Sequence, residues 1–186
     1  MEDHDLTDDQ TKLLILISKF SRPAKNRDAE ETWLKKIPLM AMIYRGVRQN
    51  VFRSYDIAPT LVEYLGTVRF ANISKEGEDD IADLREMGYV ERLKLATSHH
   101  YYVSAYRITP QGQAKVAQLD QKYKKIVDKL IKCKKCGGPT DIETLADSPY
   151  LNCKQCPEKE KVDIFAIEEL SYVSAPEFAL IWLPPD

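Results

Sequence analysis

The chain lacks any apolar run approaching the length of about 20 residues that crosses a bilayer, which excludes a helical membrane span. It lacks a glycine-rich phosphate loop and a nucleophile motif, so an enzyme is not expected. It has no excess of basic charge: the formal net charge is −2 over 186 residues, and bulk charge gives no argument for nucleic acid. Its opening, MEDHDLTDDQ, is acidic and unlike a secretory or transit peptide. An intracellular protein, cytoplasmic or nuclear, is the expectation. Cysteine is also scarce: there are four, and all fall within residues 133–156.

Those four are the strongest signal in the sequence. Cys133 and Cys136 form one C-x2-C pair, Cys153 and Cys156 a second, and sixteen residues separate the pairs. Two residues between thiolates let one tight turn present both sulfurs to one ion, so the pattern predicts a tetrahedral four-cysteine zinc site. Gly137 and Gly138 suit such a turn, whose backbone can need positive φ. Four thiolates fill the coordination shell, so one structural Zn2+ is expected rather than a catalytic ion. The competing reading is two disulfides or free thiols. A zinc ribbon from Cys133 to about Leu170 has little core of its own, so metal should drive its folding.

Charge is distributed unevenly. Lys19 to Arg53 holds nine bases against three acids, and Lys115 to Lys135 eight against two. Ser74 to Gly88 holds six acids against two bases. Such asymmetry marks oriented contacts with charged partners or plain solvated faces.

Hydrophobic spacing and capping residues give the elements. Thr7 with Gln10 is a capping-box pattern opening a helix to Phe20, with Leu13, Ile17 and Phe20 on one face. Glu30 to Asn50 reads as a helix broken or restarted at Pro38, with Met40, Ile43, Tyr44 and Val47 as its stripe. Pro59 falls near the start of another short helix carrying Leu61, Tyr64 and Leu65. Ser74 caps a helix whose Ile81 and Leu84 face inward and which Gly88 ends. Tyr89–Leu95 and Tyr101–Ile108 read as two strands of a hairpin. Thr109-Pro110 opens one long helix. Its Val116, Leu119, Tyr123, Ile126 and Leu130 form a heptad seam, which needs either the Leu13–Ile17–Phe20 face or a second subunit as partner. The tail FALIWLPPD reads as a strand completing the ribbon, or as an exposed docking peptide.

LREMGYVERL (Leu84–Leu93) and YRITPQGQAKV (Tyr106–Val116) carry a resemblance to the MarR/PadR-type winged-helix fold, covering roughly Pro38 to Leu130. The resemblance implies a mainly helical winged helix-turn-helix domain over residues 1–132 with a β-hairpin wing; with the zinc ribbon and apolar tail read over 133–186, the expected fold class is α+β. It also implies pairing of chains through terminal helices. A winged helix followed at once by a four-cysteine ribbon further resembles general transcription factors of the TFE kind. That resemblance implies binding to polymerase and promoter.

One feature departs from the DNA-reading pattern. With Ile81 and Leu84 inward, helical spacing turns Lys75, Asp79, Asp83 and Glu86 outward. Carboxylates on that face repel a duplex carrying about one negative charge per 1.7 Å. Two functions follow. In the first, a transcription-associated protein uses its basic residues on nucleic acid, nonspecifically, or on the transcription machinery. The candidates are Arg45, Arg48 and Arg53, with Lys94, His99, His100 and Arg107 in and beside the wing. Adjacent histidines in a strand point to opposite faces, so His99 and His100 read as surface residues rather than metal ligands. In the second, a protein–protein assembly subunit meets a basic partner with Asp79, Asp83 and Glu86 and anchors with its tail.

Overall fold

The computed structural model describes residues 6–24, 30–96, 102–145 and 147–166. His99, His100, Tyr101 and the tail Phe178–Asp186 lie outside the described residues.

Helix α1 (Asp8–Phe20) starts with the capping box its sequence announces: Thr7 Oγ1 accepts from the Gln10 amide at 3.1 Å, and the Gln10 side chain accepts from the Thr7 amide at 3.2 Å. The stripe of Leu13, Ile17 and Phe20 is buried, but so are Leu14, Ile15 and Leu16. α1 is therefore covered on all sides over Leu13–Ile17, where the run is apolar all round. At about 1.5–3 kcal/mol for each buried aliphatic side chain, this helix is the centre of the core.

Strand β1 (Leu34–Lys35) leads directly into α2 (Lys36–Arg48). The helix expected from Glu30 thus begins at Lys36, because Thr32 is taken into a bridge with Arg22. Pro38 lies in the first turn, where its missing N–H leaves no helical bond unmade.

The short helix expected from Pro59 does not form. β2 (Ala58–Tyr64) and β3 (Thr67–Ile73) make a hairpin in register from Ala58↔Ile73 to Tyr64↔Thr67. Its two-residue loop, Leu65-Gly66, has φ of +51° and +82°. Leu61, Tyr64 and Leu65 mimic a helical stripe, but Thr60, Val62, Thr67 and Val68 are β-branched and Gly66 supplies the turn.

Helix α3 (Lys75–Glu86) matches expectation. Ser74 Oγ accepts from the Gly77 amide at 3.2 Å, Ile81 and Leu84 are buried, and Gly88 follows with φ +75°. β4 (Val90–Ala96) and β5 (Tyr102–Ile108) then pair antiparallel. β1 adds to the other edge of β5, giving the order β1-β5-β4.

The long helix expected after Thr109 is two helices, α4 (Pro110–Gln118) and α5 (Gln121–Ile131). Thr109 Oγ1 accepts from the Gly112 amide at 3.0 Å. A Cβ on Gly112 would stand 2.2 Å from the Tyr89 carbonyl oxygen, so only glycine fits where α4 crosses the start of β4. The break comes at Leu119, whose ψ is 147°, and Asp120 restarts the chain as a cap by accepting from the Lys122 amide at 2.8 Å. The seam is accordingly interrupted. Leu130 is buried, Val116, Leu119 and Tyr123 pack half-buried on the same core, and Ile126 is 38% exposed. α5 packs on α1 of its own chain.

Beyond α5, β6 (Thr140–Thr144), β7 (Pro149–Cys153) and β8 (Lys159–Lys161) form a sheet in that order. Leu151, Val162 and Ile164 join the same apolar cluster as α1. The ribbon thus borrows its core from the helices. The following segment runs beside β3, where the Asn72 amide donates to the Ile164 carbonyl at 2.8 Å. Among the described residues no helix is long and apolar enough to cross a membrane.

Candidate metal centre and charged faces

The turns after α5 and after β7 bring the four cysteines together. All four Sγ atoms lie within 4.8 Å of one another. Cys133 and Cys156 are 3.7 Å apart and Cys136 and Cys153 3.4 Å, too far for disulfides, and all four cysteines are free. A tetrahedral ion with sulfur at about 2.3 Å separates its ligands by about 3.8 Å, which this cluster satisfies. Each turn aims an amide at sulfur: Gly138 N is 3.4 Å from Cys136 Sγ, and Gln155 N is 3.3 Å from Cys153 Sγ. Gly137, at φ +71°, donates to the Cys133 carbonyl at 2.9 Å and closes the first turn.

The thiols of Cys153 and Cys156 are pulled in opposite directions. The Gln155 amide draws the Cys153 thiol down to about 6. At Cys156 the Glu158 amide favours thiolate, but burial and the three neighbouring sulfurs outweigh it and push the thiol up to about 12. Four anionic sulfurs cannot share this volume without a cation. The group is able to hold a metal ion, with Cys133, Cys136, Cys153 and Cys156 as its candidate ligands.

An ion pair fastens this centre to the helices. Arg45 of α2 donates from Nη1 and Nη2 to the two carboxylate oxygens of Glu160 at 2.6 and 3.1 Å, and from Nε to the Leu130 carbonyl at 3.0 Å. Lys134 meets the same carboxylate at 2.5 Å. Burial alone would raise the Glu160 carboxyl, but Arg45 and Lys134 hold it below the ordinary glutamate value. Thr140 donates its hydroxyl to the Ile131 carbonyl, so ribbon and α2 together cap the end of α5. Arg45, expected as a contact residue, is buried and holds Glu160 and the Leu130 carbonyl.

Arg107 is engaged within the fold as well. Its guanidinium pairs with Glu31 and with Glu91 (2.8 Å) and lies 4.3 Å from the centre of the Trp33 ring. Only 14% of its side chain is exposed. Arg48, Arg53 and Lys94 are exposed as expected.

The acidic helix is largely spent inside the fold. Asp80 accepts from the Tyr55 hydroxyl and, at 2.9 Å, from Gln10, which also donates to Asp83 at 3.1 Å. Glu78 pairs with Lys36, Asp79 with Lys75, and Glu76 accepts from Ser74 and the Asp56 amide. Asp79, Asp83 and Glu86 do face outward. The Asp80, Asp83 and Glu78 bonds are not announced locally in the sequence, since their donors Gln10, Lys36 and Tyr55 come from other elements.

A row of exposed bases without ion pairs lies along α5 and its C-terminal cap. Lys122, Lys125 and Lys129 fall within about 60° of arc on the helix, and Lys132 follows at its cap. The apolar Val127, Leu130 and Ile131 occupy the other side, against the core. Asp128 on this face is neutralised by Lys19 at 2.6 Å. Among the described residues Lys125, Lys129, Lys132 and Lys135 are exposed and make no ion pair. The clustering of basic residues was visible in the sequence; their shared face and freedom from partners were not.

Residues 9–164 match the profile of the uncharacterized protein MJ1567 family. The chain belongs to that family. The MJ1567 match spans the chain from α1 through both cysteine pairs. Among curated proteins, none matches the chain.

Proposed function

We propose that this member of the MJ1567 family is a non-enzymatic, zinc-stabilised winged-helix protein of the transcription apparatus. It binds the phosphate backbone of nucleic acid through α5 and does not read sequence. The winged-helix reading is supported by the order α1-β1-α2-α3-β4-β5 with a β1-β5-β4 sheet, the β2–β3 hairpin standing where the short helix-turn-helix turn would be. Zinc is the reading for the metal because four thiolates in a tetrahedral, closed shell suit a structural zinc ion. The transcription assignment rests on the likeness of this pairing of modules to TFE-type factors, an analogy of fold.

One observation carries the polyanion reading. Arg107 beside the wing and Arg45 of α2 are held by Glu31, Glu91 and Glu160, while Lys125, Lys129 and Lys132 stand exposed in a row without an ion pair. Lysine is a compact point charge without the planar fork that reads base edges, so a lysine row favours backbone contact. Unrelated duplexes should bind equally, and charge reversal at Lys125 and Lys129 should abolish binding. A sequence preference above about tenfold, worth about 1.4 kcal/mol, would contradict the reading.

A second reading, a protein–protein assembly subunit, is favoured by the hairpin. Leu61, Leu65 and Val68 are 40%, 62% and 72% exposed, an apolar cluster of the kind that marks protein contacts. Co-purification from the native cell with and without Leu65→Ser and Val68→Ser tests it; an unchanged set of partners counts against it.

A further inference from the structure

Between the C-terminal end of α2 and α5 lies a cleft of about 510 Å³. Lys125, Lys129 and Lys132 line it from α5, Gln49 from the end of α2, and Lys134 from the first cysteine turn. Cys133 lines it as well. Its acid, Asp128, is engaged by Lys19, and Glu160, which holds Lys134, is also bound by Arg45. The Lys134 side chain is 69% exposed and can turn into the cleft, leaving Glu160 to the buried Arg45.

We propose that this cleft seats a phosphate group and that the metal-bearing turn is one of its walls, so that metal and phosphate strengthen each other's binding. This rests on the polyanion reading of α5. Lys132 and Lys134 flank Cys133, a candidate ligand. An ion that fixes Cys133 fixes the backbone from which both lysines project. The end of α5 depends on the same unit, because Thr140 caps the Ile131 carbonyl and Glu160 positions Arg45 on the Leu130 carbonyl. Without the ion the turn loses its organising centre, and the lysines lose their common aim. Coupling between two binding sites is reciprocal, so a seated phosphate must in turn retain the metal.

The experiment uses the full chain loaded with zinc, a short duplex of arbitrary sequence, and inorganic tripolyphosphate. Chelation should weaken duplex binding by between about 5- and 150-fold. Duplex should slow removal of zinc by a chelator by a comparable factor. In loaded protein, Lys132→Ala with Lys134→Ala should abolish that protection, and Lys75→Ala, on α3 and away from the cleft, should retain it. Protection by tripolyphosphate but not by duplex supports the cleft and assigns it to a free polyphosphate. Protection unchanged in the Lys132/Lys134 variant overturns the proposal. So does duplex binding that survives chelation undiminished, and in both cases the polyanion reading stands. No duplex binding by loaded protein at low salt overturns that reading, and if tripolyphosphate gives no protection either, the proposal falls with it. The protection assay begins from loaded protein, so it holds even where chelation unfolds the chain.

Discussion

Arg45 and Glu160 are 115 residues apart in sequence and joined by two charge-assisted hydrogen bonds, at 2.6 and 3.1 Å, across the junction of α2 and the ribbon. The arginine side chain is 8% exposed. Removing the glutamate strands a buried cation.

Glu160→Ala should lower stability by about 3 kcal/mol, measured by urea unfolding of the zinc-loaded protein. Arg45→Met should cost less, because it removes the buried charge instead of orphaning it. The folded Glu160 carboxyl titrates below its unfolded value, so its contribution is complete above the ordinary glutamate pKa of about 4.3 and is lost as pH falls through the folded value. The stability gap between wild type and Glu160→Gln should therefore narrow on acidification below about pH 4. A gap that widens there contradicts the assignment.

Metal analysis should give one zinc per chain. Cys136→Ser should reduce zinc affinity and expose the apolar residues that the ribbon shares with the helices, Leu151, Val162 and Ile164. Hydrogen exchange should then accelerate in β6–β8 first and in α1 least. Full occupancy and unchanged exchange in the Cys136→Ser protein would sink the four-cysteine site.

The cysteine site was legible because its signal is local: two short spacings define two turns, and the turns define the cluster. Ser74, Thr7 and Thr109 were legible as caps for the same reason. The β2–β3 hairpin was not, since Leu61, Tyr64 and Leu65 carry helical spacing and the decision falls to the Leu65-Gly66 turn and cross-strand pairing. The break between α4 and α5 was hidden by a seam that continues across it, while Asp120 decides the backbone by capping. The roles of Arg45 and Arg107 depend on Glu160, Glu31 and Glu91, partners that no spacing rule reveals.

The acids of α3 should divide by what they touch. Asp80→Ala removes the acceptor of both the Tyr55 hydroxyl and Gln10 and should cost about 1–3 kcal/mol. Asp79→Ala breaks only an exposed pair with Lys75 and should change stability by less than about 0.5 kcal/mol. Thermal unfolding of the two variants side by side checks this. Equal effects would show that the Asp80 bonds carry no weight in the folded state.

The most direct test of the central claim is a salt titration of duplex binding by the zinc-loaded chain. Lys122, Lys125, Lys129 and Lys132 span about 15 Å of α5. Four phosphate contacts predict a slope of log K against log salt of about −3.6. The account predicts that slope, its collapse in Lys125→Glu with Lys129→Glu, and no loss of binding in Asp79→Ala, Asp83→Ala and Glu86→Ala. No binding at low salt, or binding that survives reversal of the α5 lysines, would contradict it.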